Sequence, residues 1–547
     1  MKIEPPDLRR DLTAAIAVAF LAAPQGVAYT LIAGLPPAMG LYAACIPAIV
    51  GSLFRSSKHV VAGPTNALSL LVGTAVLASS LDPVTTALTL ALLVGALQLT
   101  TGVLRLGVLV NYISTPVVVG YITGAGVLIA AGQIHHIIAS VEAVGIALVV
   151  AAGIVGFRYL KPAFPAAALF LSMATLASWA LDFESMGILR LGDLASIPSG
   201  LPPLTLPDVR PAQLWQLMPV AVAATVLSLV ESTSVARTLA ASSGQKLDLD
   251  IEIGGQGLAN LSAAFTGGYP ISGSLARSTL NYQMGAQTRW AGVFAGVLVL
   301  LVLLLLGPAL NYTPIAGLAG LLMVVAYDLI DRPRIKQVML SGTGDAAAFG
   351  ATLMGTWVLP LDKAIYLGVV ISLVLFLRRS RNLLVHELKI GTRGNLREFE
   401  VDEAGGDACA QIRILQIEGQ LFFAAASELE AALAEATADP AVRVLILRLK
   451  RTQGLDITAA EVLRATSERL QNQGRHLILV GMRQKAMQVL TASGIADELG
   501  DDHLFPARRR WFAAMNDAVS SAHELLESHE DGCPLAAWSD LDQPSPN

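Results

Sequence analysis

The stretch that decides the fold reads Gly267-Gly268-Tyr269-Pro270-Ile271-Ser272-Gly273-Ser274-Leu275-Ala276-Arg277-Ser278, and it lies between strongly apolar segments. Residues of this kind cannot continue a helix that faces lipid, because unsatisfied backbone groups in hydrocarbon are costly unless protein or a water-filled cavity satisfies them. The stretch also contains Arg277, and an ionisable residue inside a membrane indicates a functional site. Two interpretations are open at this point: a binding cavity within a membrane, or a cytoplasmic loop between two helices.

The composition separates a membrane part from a soluble part. Of the 547 residues, 54% are hydrophobic and 14% are charged, whereas soluble domains contain about a quarter charged residues. Apolar runs of membrane-spanning length extend to about residue 381, and charged and apolar residues mix after it. The formal net charge of -5 provides no basic excess for nucleic acid as a partner. The three cysteines lack metal-ligand spacing, so we expect free thiols and no metal site.

The membrane part is predicted to contain about fourteen apolar segments. Because this number is even, both chain ends are expected on the same side of the bilayer. The segments are expected at residues 11–31, 38–54, 64–79, 84–104, 114–133, 141–157, 164–181, 213–236, 251–266, 274–286, 289–308, 314–330, 345–359 and 363–378. With the N-terminus in the cytoplasm, most Lys and Arg residues of the connecting segments, Arg55 among them, fall on the cytoplasmic side. This asymmetry satisfies the positive-inside rule and places the C-terminal region in the cytoplasm too.

Two of the segments are too short to cross a bilayer, and each follows a broken, extended-looking stretch. The first stretch is 59–69 and the second is 267–278, and they begin at similar distances from the starts of the two halves, near Leu8 and Leu214. Interrupted segments at matching positions predict an inverted repeat with a binding site between two half-helices. The unpaired N–H groups and the dipoles of two facing helix N-termini attract an anion. The side chains of Thr65, Asn66, Ser272 and Ser274 either contact that anion or only cap the helices.

Two charged residues stand out in the membrane part. A buried guanidinium needs an anionic or carbonyl partner, so Arg277 either completes the anion site or pairs with a carboxylate such as Glu231. Glu231 lies toward the inner end of the eighth segment. Burial favours a protonated carboxyl group, so this residue is able to carry a proton with the substrate. The alternative is an interfacial or salt-bridged glutamate without a coupling role.

Several motifs occur together and in a fixed order: Ala23-Pro24-Gln25-Gly26-Val27-Ala28-Tyr29, Ala33-Gly34-Leu35-Pro36-Pro37-Ala38-Met39-Gly40-Leu41-Tyr42, Ser57-Lys58-His59, Gly63-Pro64-Thr65, Gly255-Gln256-Gly257-Leu258-Ala259-Asn260 and the stretch from Pro270 to Ser278. In this combination the chain resembles the SulP family of anion transporters, also called sulfate permeases, over nearly its whole length. The resemblance implies a seven-plus-seven inverted repeat with core and gate domains. It also implies a cytoplasmically linked homodimer that works by an elevator-like movement.

The resemblance further implies which residues form the anion site. They are Gln25, Tyr29, Gly63, Pro64, Thr65, Ser274, Leu275, Ala276 and Arg277, with Glu231 as the coupling residue. Family members that resemble sodium–bicarbonate symporters carry a hydroxyl four residues after the acidic position, where this chain has Val235. The sequence therefore favours proton coupling or anion exchange over sodium coupling.

After Arg381 short apolar strands alternate with amphipathic helices, which predicts an α/β domain. Strands are expected at 412–417, 420–423, 442–447 and 476–480, and helices at 426–436 and 458–472. This part resembles the STAS domain, whose fold is shared with anti-sigma factor antagonists. Thr458 matches the phosphorylatable hydroxyl of that fold, and the alternative is a plain N-cap threonine. The domain shows no catalytic constellation or phosphate loop, so we expect neither an enzyme nor a cofactor.

The expected domains are a transmembrane anion-transport domain at 1–381, a linker at 382–407, the STAS domain at 408–507, and a C-terminal helix and flexible tail at 508–547. The expected function is secondary active transport of a small anion across the inner membrane, with both termini cytoplasmic. Candidate substrates are sulfate, bicarbonate, chloride and a carboxylate such as fumarate. Expected partners are the lipid bilayer, a co-transported proton and a second copy of the chain. The alternatives are a proton-coupled nucleobase transporter of the same architecture, against which Arg277 and the motifs argue, and an anion sensor that signals through the STAS domain.

Overall fold

The computed structural model describes residues 7–160, 165–207, 209–390, 396–400, 406–510, 513–526 and 533–535. The chain divides into two compact units, Met1–Leu373 and Val374–Asn547. The first unit is helical with one two-stranded ribbon. The second is built around a six-stranded sheet.

The first unit consists of helices joined by short connections. Its elements are α1 (Leu8–Ile32), α2 (Ala38–Phe54), β1 (Ala62–Gly63), α3 (Asn66–Ala78), α4 (Pro83–Val103), α5 (Thr115–Ile137), α6 (Val141–Leu160), α7 (Ala166–Ala180), α8 (Leu191–Leu194), α9 (Pro211–Ser243), α10 (Leu249–Phe265), β2 (Ser272–Gly273), α11 (Leu275–Gln283), α12 (Trp290–Leu310), α13 (Ile315–Leu329), α14 (Arg332–Ser341), α15 (Thr343–Val358) and α16 (Leu361–Ser380). Each predicted apolar segment overlaps one of these helices. The short helices α8 and α14 are additional.

Helix length separates spanning helices from half-helices. Within the described residues, six helices are long and apolar enough to cross a membrane, namely α1, α4, α5, α6, α9 and α12. By contrast, α3 has 13 residues and α11 has 9. At a rise of about 1.5 Å per residue, α3 and α11 extend about 20 Å and about 14 Å, well short of a hydrocarbon core of about 30 Å. Both begin within the two broken stretches, at Asn66 and at Leu275.

The packing of the first seven predicted segments is repeated by the last seven. Helices α1 to α4 of the first half correspond in order to α9 to α12 of the second. The pair α2 and α12 matches the pair α10 and α4, and α1 contacts both half-helices, α3 and α11, as its equivalent α9 does. Likewise α5 packs against α15 as α13 packs against α6, while α5 and α13 pack on each other. Strands β1 and β2 pair antiparallel, with Ala62 opposite Gly273 and Gly63 opposite Ser272. Equivalent helices thus exchange partners, as an inverted repeat requires.

The second unit is an α/β domain with cores on both faces of its sheet. The strands are β3 (Leu384–Ile390), β4 (Leu396–Glu400), β5 (Ile412–Leu421), β6 (Val444–Leu455), β7 (His476–Met482) and β8 (Leu504–Pro506), and the helices are α17 (Ala426–Ala436), α18 (Ile457–Gln471), α19 (Gln484–Ala492), α20 (Ile495–Leu499) and α21 (Ala513–Leu525). The sheet order is β4-β3-β5-β6-β7-β8, and β5 to β8 are parallel. Side chains alternate between the faces, since Leu415 and Leu447 lie in one core and Ile414 and Ile446 in the other.

Two features of this unit differ from the sequence-based expectation. The segment 382–407, predicted as a linker, contains β3, which pairs antiparallel with β5, and β4, which pairs antiparallel with β3. The two strands predicted at 412–417 and 420–423 are one strand, β5, whose register shifts between Gln416 and Glu418. The predicted C-terminal helix is α21, and the predicted flexible tail from 536 onward lies outside the described residues.

Candidate functional site

The two half-helices begin beside the β1–β2 ribbon. Thr65 is the N-cap of α3 and makes no side-chain cap bond, whereas Ser274 caps α11 by accepting from the Arg277 backbone N–H at 3.4 Å. Leu275 and Ala276 form the first turn of α11 and are exposed. The N–H groups of a first helical turn have no intrahelical partner. The start of α11 therefore presents backbone donors at an open surface.

Arg277 reaches from the second half of the unit into the first. Its side chain is 1% exposed, and its Nη2 donates to the Pro64 carbonyl oxygen at 2.8 Å. A Cβ on Gly63 would lie 2.9 Å from Nη2, and the φ of Gly63 is +154°, so glycine at this position makes room for the guanidinium. Nη1 is buried without a hydrogen-bond partner in the described residues. A buried cation with an unused donor favours the binding of an anion.

Glu231, in the second half of the unit, is contacted by a residue of the first half. It lies on α9, half buried, and its Oε2 accepts from the Thr65 hydroxyl at 3.0 Å. Thr65 of the first half thus bonds a carboxylate of the second, while Arg277 of the second half bonds Pro64 of the first. Val235 is buried one turn after Glu231 and brings no oxygen. This crossing of contacts ties the two half-helices into one site.

Helix α1 supplies the remaining wall. Gln25 and Tyr29 are four residues apart, so they lie on one face of the helix, and both are buried. The Gln25 Oε1 atom is buried without a partner in the part of the chain that the structure describes. Helix α1 packs against both half-helices, α3 and α11. Gln25 and Tyr29 thus lie on the helix that packs on both of them.

The structure accordingly brings most of the predicted site residues together. Direct contacts link Gly63, Pro64, Thr65, Glu231, Ser274 and Arg277. Gln25 and Tyr29 lie one turn apart on α1, and the side chains of Leu275 and Ala276 are exposed. Asn66 uses its Oδ1 on the neighbouring Ala67 N–H at 2.7 Å. Ser272 donates to the Ser228 carbonyl oxygen at 3.0 Å.

Sequence reasoning missed a set of buried polar side chains around this site. They are Ser69, Gln98, Ser228, Glu252, Asn260 and Tyr269, all fully buried. Arg55, predicted to lie in a cytoplasmic loop, is also fully buried and bonds Glu252 at 3.4 Å and Gln256 at 2.5 Å. The sequence indicates these residues only by their polarity within apolar segments. That polarity predicts a role for each residue but does not distinguish a structural role from a functional one.

A cluster of polar side chains in the second unit bears on whether this unit binds a metal ion. His386, Glu398 and Glu418 come close enough to resemble a metal site, but Arg451 pairs with both glutamates and, by its hydrogen bond, lowers the pKa of the Glu418 carboxyl. The cluster is therefore an ion-pair network.

Thr458 is the second residue of α18 and is exposed. The N-cap of this helix is Asp456, which accepts from the Ala459 N–H at 2.9 Å and from the Phe423 N–H at 2.7 Å. The interpretation of Thr458 as an N-cap is thus wrong, since Asp456 performs that role. Its phosphorylation stays a prediction.

The comparison with known proteins agrees with this architecture. The sequence model of the sulfate permease family matches residues 8–147 and 138–352, and that of the STAS domain matches 405–510. The putative sulfate transporter YvdB of Bacillus subtilis is 28% identical over 521 residues, which cover 91% of this chain and 96% of that protein. The probable sulfate transporter Rv1739c of Mycobacterium tuberculosis is 27% identical over 91% of this chain and 93% of its own length.

Solved structures show the same fold. The murine Slc26a9 anion transporter in the inward-facing state superposes with a TM-score of 0.82 at 19% identity, covering 96% of this chain and 92% of that one. The transmembrane domain of the cyanobacterial bicarbonate transporter BicA superposes with a TM-score of 0.58 at 22% identity, covering 68% of this chain and 98% of that domain. The predicted fold class, a polytopic α-helical membrane protein followed by an α/β STAS domain, is confirmed. The chain belongs to the sulfate permease family and carries a STAS domain.

Proposed function

We propose that the protein is a secondary active transporter of small anions, with sulfate, bicarbonate, chloride or a carboxylate such as fumarate as substrate. The observation that carries the proposal is the buried Arg277 guanidinium, whose Nη2 is held by Pro64 while Nη1 has no partner in the described residues. The names of the relatives as sulfate transporters support the class of substrate. Domains at 1–381 for transport and 408–507 for the STAS fold remain part of this proposal.

Binding follows from charge and unused donors. The guanidinium and the first-turn N–H groups of α3 and α11 offer positive potential and hydrogen-bond donors to an anion. A hydrogen bond to a charged group contributes about 1.5–3 kcal/mol. An anion that accepts from Arg277 Nη1 satisfies a donor that is otherwise buried and unpaired.

Coupling to protons follows from the position of Glu231. The Thr65 hydroxyl donates to the Glu231 carboxylate at 3.0 Å, and the neighbouring Pro64 carbonyl accepts from Arg277 at 2.8 Å. An incoming anion is repelled by an ionised Glu231, and a proton on that carboxyl removes the repulsion. Anion and proton therefore favour each other's binding, which is the thermodynamic requirement for symport. Val235 offers no additional oxygen for sodium at the next turn.

The movement that we propose is a displacement of one helix group against the other. The site lies on the group formed by α1–α4 and α9–α12, whose members pack mainly on one another, and α5–α7 with α13–α15 form the second group. An elevator-like shift of the first group would carry the bound anion across. We further propose an inner-membrane location, cytoplasmic termini and a homodimer, in keeping with the family resemblance.

Reconstitution of the full chain into liposomes tests the proposal. Uptake of labelled sulfate, bicarbonate, chloride and fumarate is measured with and without an imposed pH gradient, and uracil is added as a competitor. We expect one of these anions to accumulate in response to the gradient. The absence of flux for every anion would refute transport, and anion binding without flux would favour the sensor alternative. Inhibition by uracil with no anion flux would favour a nucleobase transporter.

The variant Glu231→Gln tests the coupling step. Its neutral amide cannot exchange a proton, so gradient-driven accumulation should be lost while counterflow exchange of the anion is retained. Glu142→Gln, at an exposed position at the start of α6, is the matched control and should accumulate anion normally. Intact gradient-driven accumulation in Glu231→Gln would exclude Glu231 as the proton carrier.

A further inference from the structure

The peptide group of Ile271 is held by side chains on every side. Its N–H donates to Asn260 Oδ1 at 2.8 Å, and its carbonyl oxygen accepts from Ser228 Oγ at 2.9 Å, Gln256 Nε2 at 2.9 Å and Asn260 Nδ2 at 3.1 Å. All three side chains are fully buried. Ile271 directly precedes β2 and lies three residues before Ser274, the N-cap of α11. Its position therefore sets where the second half-helix starts.

These bonds belong to a longer buried chain of polar groups. Gln98 on α4 donates to Ser228 Oγ at 2.9 Å and accepts from Asn260 Nδ2 at 2.8 Å. On the other side, Gln256 Oε1 accepts from Arg55 Nη2, which ties the chain to the end of α2. Helices α9 and α10 thus bond the Ile271 peptide group directly, and α2 and α4 bond the side chains that hold it. Buried networks whose members are all bonded rigidify the segment they hold.

Two glycines allow this convergence. A Cβ on Gly255 would lie 2.6 Å from the Arg55 backbone, and one on Gly257 would lie 2.5 Å from the Leu99 backbone nitrogen. Helix α10 therefore touches α2 on one side and α4 on the other at backbone distance. Gln256, between the two glycines, and Asn260, one turn later, then both face Ile271. The motif at residues 255–260, which the anion contacts do not use, has its explanation here.

The equivalent residue of the first half, Val61 before β1, is held differently. Its N–H donates to Ser278 Oγ at 3.0 Å, and its carbonyl accepts from the Ser274 N–H at 3.2 Å. Both partners belong to the α11 segment itself. The first extended segment is thus positioned by the second, and the second is positioned by α9 and α10. Ile271 is the anchor for both half-helices.

We propose that Ser228, Gln256 and Asn260 are positioning residues of the anion site, and this inference rests on the proposed function. By fixing Ile271 they fix the start of α11 and the distance between Arg277 and Glu231. Ser228 acts twice, because its carbonyl also accepts from Ser272 Oγ and it lies three residues before Glu231 on α9. Removing one of the hydrogen bonds to Ile271 should shift the start of α11 and so lengthen the distance from its N–H groups and from Arg277 to the anion.

Two variants of the full chain test the inference. Ser228→Ala removes the hydroxyl that bonds Ile271 and Gln98, and Asn260→Asp keeps the acceptor for the Ile271 N–H while removing both donors. The matched control is Ser262→Ala on α10, whose hydroxyl bonds only the Ala259 carbonyl of its own helix at 2.7 Å. The measurements are KM and maximal rate of anion uptake in liposomes, and the Kd of the same anion for detergent-solubilised protein.

We expect KM and Kd to rise about five- to tenfold in Ser228→Ala and Asn260→Asp, the size expected for one lost hydrogen bond to a buried group. The maximal rate per folded molecule should stay within about twofold, and Ser262→Ala should match the parent. Unchanged KM and Kd in Ser228→Ala overturn the inference. It is also overturned if less of the variant protein folds but the folded fraction binds the anion with the parental Kd. A parent protein that neither transports nor binds any anion overturns the proposed function itself, whereas native affinity in the variants overturns only the positioning role.

Discussion

Gly63 is the position where one added methyl group tests the geometry of the site. In Gly63→Ala the new Cβ would lie 2.9 Å from Arg277 Nη2 and 3.2 Å from Cζ, and φ would have to remain near +154°. Holding an L-residue at such a φ costs about 1–3 kcal/mol of stability. The guanidinium, which is the flexible end of its side chain, must move away from the Pro64 carbonyl, and a charged hydrogen bond of about 1.5–3 kcal/mol is lost. We therefore expect anion affinity to fall about ten- to a hundredfold.

The assay is calorimetric titration of the solubilised full chain with the anion identified by uptake. The control is Gly132→Ala on α5, where an added Cβ meets no atom within 4 Å. The control should bind with the parental Kd. Parental affinity in Gly63→Ala would show that contact between residue 63 and Arg277 does not govern anion binding, and the argument from this geometry would be refuted.

Three further predictions concern other parts of the chain. Arg277→Ala should weaken anion binding by about 1–3 kcal/mol in the same titration, and equal affinity would assign Arg277 to structure. Gly257→Ala should lower the melting temperature, because its Cβ would sit 2.5 Å from the Leu99 nitrogen; unchanged melting contradicts the close packing. Burial lowers the pKa of His476 and of His503. The unfolded chain therefore takes up protons first, and stability of the second unit should fall as pH drops below about 6.5. His503→Gln should flatten this slope in denaturant titrations, and an unaltered slope contradicts the assignment.

The membrane architecture could be predicted because lipid imposes a strong rule on sequence. A helix in hydrocarbon must be apolar over its length, so breaks such as Gly63-Pro64 and Ser272-Gly273 are conspicuous. The same rule predicts the two half-helices α3 and α11. It also identified Arg277 and Glu231, since charges are rare in such segments.

The partners of these charges could not be predicted, because they are distant in sequence and partly backbone atoms. Arg277 bonds a carbonyl 213 residues away, and every residue has a carbonyl, so no pattern marks Pro64. Arg55 stands at the end of a predicted span, where a cytoplasmic cation is expected, and its partner Glu252 lies 197 residues later. Burial of Arg55 depends on the approach of α10 to α2, which the positive-inside rule does not consider.

The strands β3 and β4 were missed for a local reason. The strand Leu384-Val385-His386-Glu387-Leu388-Lys389-Ile390 has three polar residues among its seven, and His386 lies on the same face as Leu388 and Ile390, so its apolar–polar alternation is weak. Only pairing with β5 shows that Leu388 and Ile390 face a core. Strand assignment depends on such neighbours more than helix assignment does.

The central claim is that an anion binds at Arg277 between the N-termini of α3 and α11. Its most direct test is an experimental structure of the full chain with selenate, a sulfate analogue located by anomalous scattering. The account predicts anomalous density within hydrogen-bonding distance of Arg277 Nη1, and its loss in Arg277→Ala under the same conditions. Density at another place, or density at this place that persists in Arg277→Ala, would contradict the claim.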